Sequence, residues 1–174
     1  FWINDRLSYP LDPGMDGLEG SLTNWLNRGI DAVDGYQPRL HEPVTLGERT
    51  YVPMEVGEKL GYALLERSIT GRYRIAHTSS GNAPFRCGVI EENGGKQLLF
   101  QGRNTFGEID RVQITLDRGY EYELKLPRKE VFFIHTGVDS RIPTGLASVE
   151  QITLYDGEGQ DITESFFMSM GGIQ

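Results

Sequence analysis

Residues 111–127 read RVQITLDRGYEYELKLP, and the alternation inside this stretch decides the fold class. Val112, Ile114 and Leu116 alternate with Arg111, Gln113, Thr115 and Asp117. After the turn-forming DRG, Tyr120, Tyr122, Leu124 and Leu126 alternate with Glu121, Glu123 and Lys125. A period of two sends successive side chains to opposite faces of a strand, so the stretch predicts an antiparallel hairpin with one buried and one wet face. Val112, Ile114, Leu116, Tyr122 and Leu124 form the inward set. A one-residue slip would turn all of them outward, so the register is firmly specified. Pro127 ends the hairpin, since proline has no N–H to give to a ladder.

The same period extends outward in both directions. Downstream, KEVFFIHTGVDSR at 129–141 contains the strand VFFIHT, in which Phe133 points opposite to Phe132 and Ile134. Exposing such groups costs roughly 1.5–3 kcal/mol each, so this strand is expected to be covered on both faces. VEQITLYD is a further strand, and DGEGQD turns the chain before ITESFF. Upstream, FRCGVIE and KQLLFQG flank Asn93-Gly94-Gly95, a strong hairpin signal. GRYRIAHTS places Tyr73, Ile75 and His77 on one strand face, and VTLGERTYVPM suggests a short hairpin around Gly47-Glu48. In VGEKLGYALLER, Val56, Leu60 and Leu64 allow a helix while Gly57 and Gly61 oppose it.

The period lengthens only near the start. Leu18, Leu22, Trp25, Leu26, Ile30 and Val33 share one helical face between Asp16 and Val33, with Asp16 as a possible cap and Gly35 beyond the end. Gly20 and Gly29 weaken this helix. Its apolar face matches the strand at 131–134 and is expected to cover it. Residues 1–15 read as an irregular arm rich in Pro, Gly and Asp, and 36–43 as a linker. The expected fold is therefore mainly β: an antiparallel β-sandwich or barrel of about eight strands with one N-terminal helix. The expected organisation is an arm, helix and linker over 1–43, packed on a β-rich domain over 44–174.

Composition limits the function classes. The chain has 174 residues, 38% of them hydrophobic, and a net charge of -8. No apolar run approaches the ~20 residues needed to cross a bilayer. The acidic balance argues against nucleic acid, whose phosphates it repels, but permits a protein or sugar partner. One cysteine, Cys87, excludes an intrachain disulfide. The sequence begins at Phe1-Trp2. That start fits either a mature product whose signal peptide or membrane anchor has been removed or an ordinary cut from a longer chain.

Candidate chemistry is sparse. His135 at a strand exit, with Asp139 and Arg141 in the turn beyond, offers a His–Asp pair for acid–base work. Ser140 lies too close in sequence to serve as the nucleophile of a triad. A turn salt bridge between Asp139 and Arg141, beside a hydrogen-bonded histidine, is the weightier reading. His77, Ser79, Ser80 and Asn82, in or beside TSSGNAP, form a candidate polar binding loop, although His77 shares a face with Tyr73 and Ile75 and reads better as a core histidine. His41 stands beside Glu42. The three histidines lack metal-ligand spacing, so no metal site is expected. DGEGQDITE opens like a calcium loop, but holds Asp161 where glycine is required and Phe167 where glutamate is required. Cys87 alternates with Phe85 and Val89 and reads as a small core residue. There is no phosphate loop, nucleophile elbow or dinucleotide fingerprint, and no cofactor is expected. Tyr9, Tyr36, Tyr51, Tyr62, Tyr155, Trp2 and Trp25 suit either packing or sugar and protein contacts.

VEQITLYDGEGQDIT looks like the closing hairpin of many bacterial surface β-domains, with its LYD-x-x-G turn. TYVPMEVGEKLGY, followed by strand-rich sequence, resembles uncharacterised cell-envelope proteins and lipoproteins of Gram-positive bacteria. This resemblance implies an extracytoplasmic place, secreted or membrane-anchored, and carries no activity. The expected function is non-catalytic binding of a protein or cell-wall glycan, with membrane contact only through a removed anchor. The alternatives are a small hydrolase-like enzyme using His135 and Asp139, and a structural module of a larger membrane-anchored protein.

Overall fold

In a computed structural model, which describes residues 2–28 and 35–171, every strand pairing is antiparallel. The protein is mainly β, and it divides into two units, Phe1–Pro84 and Phe85–Gln174. Among the described residues there are three helices rather than one, and no sheet closes into a barrel.

The first unit holds helices α1 (Trp2–Ser8) and α2 (Leu18–Leu26) and strands β1 (Arg39–Leu40), β2 (Val44–Leu46), β3 (Arg49–Val56), β4 (Lys59–Arg67) and β5 (Tyr73–Gly81). The sheet order is β1-β3-β4-β5, with β2 also on β3. The expected irregular arm is thus partly helical, and the sheet ties it down. The Asp5 carboxylate accepts the hydroxyls of Thr70 and, at 3.3 Å, Ser68. Leu11 exchanges both backbone hydrogen bonds with Tyr73, at 3.0 and 2.9 Å. The Arg72 guanidinium donates to the carbonyls of Tyr9 and Pro10, each at 2.7 Å, and to Asp12.

Helix α2 is shorter than its apolar pattern predicts. Left-handed Gly17 (φ 75°) precedes it, and no side chain caps its start. At its end the Asn27 amide donates to the carbonyls of Thr23 and Tyr36, which turns the chain away. Ile30 and Val33 lie outside the described residues. Leu18 and Leu22 pack in one core with Val52, Met54, Ala63 and Leu65, so this helix covers its own sheet. Residues 56–67, ambiguous in sequence, become the β3–β4 turn and β4. A Cβ on Gly61 would stand 2.0 Å from the Ser79 carbonyl oxygen, so the close approach of β5 requires glycine there. Pro53 is tolerated in a buried strand because its carbonyl accepts His41 N–H at 2.9 Å. Its ring nitrogen therefore faces the same edge, at the break between β2 and β1, where no ladder donor is needed.

The second unit holds β6 (Phe85–Glu92), β7 (Gly95–Arg103), β8 (Arg111–Leu116), β9 (Tyr120–Lys125), β10 (Val131–Val138), β11 (Gly145–Leu146), β12 (Val149–Tyr155) and α3 (Thr163–Gly171). One sheet runs β10-β7-β6-β11 and another β12-β8-β9. The stretch at 111–127 forms its hairpin in the expected register, pairing Val112 with Leu124, Ile114 with Tyr122 and Leu116 with Tyr120. Asn93 (φ 50°) and Gly94 (φ 77°) form the two-residue turn between β6 and β7. Both sheets feed one core: Val89, Leu98 and Phe100 from the first, with Val112, Ile114 and Leu154 from the second.

ITESFF is helical, not extended. Asp161 Oδ1 accepts the Thr163 N–H at 2.9 Å and its hydroxyl at 2.6 Å, which starts α3. The helix then lays Phe166 on Phe85, with ring centroids 5.5 Å apart. Phe85 stacks on Phe100 at 5.4 Å, and Phe100 meets Phe132 at 5.3 Å. Phe132 is thus covered by its own unit, rather than needing the N-terminal helix.

Candidate functional site

The strand carrying His135 is only half as buried as its sequence suggests. Val131, Phe132 and Phe133 are buried, but β10 is an edge strand and from Ile134 onward its outer residues reach solvent. The core side is the even one, Phe132, Ile134 and Val138. His135 therefore points away from that core and is exposed, contrary to its expected core-facing position. Its Nδ1 lies 3.1 Å from Gln97 Oε1, on the neighbouring strand.

Asp139 has a different set of partners. The Arg141 guanidinium grips its carboxylate in a fork, Nε to Oδ1 and Nη2 to Oδ2, both at 2.8 Å, and the Arg141 N–H adds a third bond at 2.9 Å. The Asp139 N–H donates to the Tyr122 hydroxyl at 3.0 Å. The hydrogen bonds from Arg141, side chain first and backbone second, hold the Asp139 carboxyl well below the usual carboxylate range. The partners found for His135 and Asp139 are separate, and four residues of extended chain span roughly 13 Å.

Next to this fork lies a small cleft, open to solvent, between the β8–β9 turn and the segment from Arg141 to Ser148. Leu116, Ile142, Pro143, Leu146 and Ala147 supply apolar walls, and Asp117, Arg118, Tyr120, Arg141 and Ser148 complete the lining. The fork explains why Arg141 is presented here in one orientation, its Cζ 5.5 Å from the Tyr120 ring centroid. The Asp117 N–H donates to the Ser148 carbonyl at 2.9 Å, which ties the hairpin tip to the opposite wall. Arg118 adopts φ 67°, ψ 20°, a left-handed conformation rare without glycine, and is exposed at the tip. Leu146 is 93% exposed on the short edge strand β11. Of the residues singled out from sequence, only Arg141 lines this cleft. Alternation marks Tyr120 and Leu116 only as hairpin residues, and Leu146 lies in a Gly/Pro-rich stretch whose pairing no local pattern reveals.

The other candidates are scattered. His77 is exposed, because a bulge breaks the alternation: Leu65 pairs with Ile75 but Leu64 pairs with His77, leaving Ala76 as the extra residue. Beyond the bulge Thr78 takes the inner side and receives the Trp25 indole N–H at 3.1 Å. Ser79 and Ser80 sit in β5, paired with Tyr62 and Gly61, rather than in a loop; Asn82 follows, exposed. His41 Nε2 meets the buried Glu55 carboxylate at 2.9 Å, not the adjacent Glu42. Asp156, at the start of the calcium-like turn, accepts the backbone N–H groups of Glu158 at 2.9 Å and Gln160 at 2.8 Å. Burial pushes the Cys87 thiol up to about 12, so it is protonated at neutral pH and a poor nucleophile. Among the described residues no three His, Cys, Asp or Glu side chains gather as a metal site, and no helix is long and apolar enough to cross a membrane.

No protein-family model, curated protein or solved structure matches the chain.

Proposed function

We propose that this chain is a non-catalytic domain working outside the cytoplasm, and that its cleft binds a segment of a protein partner. The observation that carries this reading is the lining of the cleft. A tyrosine and a preset arginine, types enriched at protein–protein hot spots, stand here beside an exposed leucine over an apolar floor. The forked salt bridge lowers the ordering cost of Arg141 on binding, since the side chain is already held. We read the second unit, whose two sheets share one core, as a β-sandwich that displays the cleft at its loops.

Selection of random peptides displayed on phage against the immobilised protein tests the reading. A consensus with an apolar anchor is expected, and its affinity should fall at least about tenfold, or 1.4 kcal/mol, in Leu146→Asp and in Tyr120→Ala. Failure to enrich any consensus, or equal binding by both variants, would overturn it. The hydrolase reading makes the opposite demand: an ester-hydrolysing activity abolished by His135→Ala. A structural module would bind nothing at the cleft.

A further inference from the structure

Phe106 is 86% exposed, in the loop that joins β7 to β8. The loop is held from below. Buried Asn104 donates its side-chain amide to the Ile109 carbonyl at 2.8 Å and accepts the Ile109 N–H at 3.1 Å, which brackets residues 105–108. The Gly107 N–H closes a tight turn on the Asn104 carbonyl at 2.9 Å, with Gly107 left-handed (φ 64°). The Asn104 N–H donates to the Glu130 carbonyl at 2.8 Å, and Ile109 is buried in the core of the second unit. The Phe106 ring is thus carried on a preset loop, which lowers the ordering cost of burying it against a partner.

This loop and the cleft lie at opposite ends of β8. The loop enters the strand at Arg111, and the cleft begins at Leu116, roughly 17 Å farther on. A chain's own Phe106 therefore cannot fill its own cleft, but that of a second copy can. The two surfaces match in shape and charge. A small cleft with apolar walls takes one side chain as an anchor, and Phe106 protrudes as one ring. Residues 104–110 hold two carboxylates, Glu108 and Asp110, and no basic residue. The cleft lining holds two arginines, Arg118 and Arg141, against one carboxylate, Asp117. Asp139 already engages Arg141, so exposed Arg118 is the group placed to meet Glu108. On a chain of net charge -8, copies repel one another except where such local charges are opposite. Building on the cleft as a protein-binding site, we propose that its partner is the Phe106 loop of a second copy of this chain.

Sedimentation equilibrium of the whole chain at rising concentration tests this. The mean mass should climb above that of one chain. Phe106→Ala and Leu146→Asp should each weaken association at least about tenfold. Mixed together, these two variants should form pairs and nothing larger, because one brings an intact cleft and the other an intact loop. That complementation also shows that both variants are folded. Association unchanged in either variant, or a mixture that does not pair, would overturn the proposal. A parent that stays monomeric yet binds a phage-selected peptide at the cleft would overturn self-association alone. A parent that does neither would overturn the cleft reading as well.

Discussion

Gly102 faces Phe85 on one neighbouring strand and Phe132 on the other. A Cβ there would lie 2.4 Å from a ring carbon of Phe85 and 2.6 Å from one of Phe132, so the two rings close over the glycine. Gly102→Ala should therefore destabilise the protein by about 1–3 kcal/mol, as overpacking does. Urea denaturation measures this, and an unchanged midpoint would mean that the rings swing aside freely. Cys87 gives a second expectation at the same scale. Its folded pKa lies above the unfolded value, so the stability from burying the neutral thiol is full below pH 9.0 and is lost as pH rises toward about 12. At pH 8 a disulfide reagent should label the native thiol on the order of a hundredfold more slowly than the urea-unfolded chain. Asp139 moves the other way. Its lowered pKa makes the fork with Arg141 hold above the usual carboxylate range and through it, breaking only in stronger acid. The Asp139 carboxyl carbon followed by NMR should show no titration step near pH ~4.

At the scale of elements, β10 is a strand of two halves, and substitutions along it should show the boundary. Phe132→Ala, in the aromatic cluster, should cost about 3–5 kcal/mol. His135→Ala, three residues on and exposed, should stay within ~0.5 kcal/mol. Thermal melts compare the two, and similar losses would mean that both halves are equally buried. The same elements show what local sequence reveals. The hairpin of β8 and β9 was legible because alternation, turn and proline all agree in one stretch. The turn at Asn93-Gly94 was legible because those residues tolerate positive φ. His77 was misplaced because a bulge at Ala76 inverts the faces without any mark in composition. α3 was missed because a turn-forming aspartate serves equally as a helix start, and only packing of Phe166 on Phe85 decides between them. α1 was missed because its anchors, Ser68 and Thr70, lie far along the chain from Asp5.

For the whole molecule, antiparallel pairing and a mainly β composition follow from the sequence, whereas the division at Pro84 and Phe85 and the cleft do not. The cleft joins a hairpin tip to a stretch about twenty-five residues later, and tertiary pairing alone brings these together. The central claim is that this cleft, rather than a His–Asp centre, is the working site. Amide chemical-shift mapping with a cleft-selected peptide tests it most directly. The largest shifts are predicted at residues 116–120 and 141–148, with His135 and Gln97 unmoved. Shifts centred on His135, or spread evenly over the chain, would contradict the account.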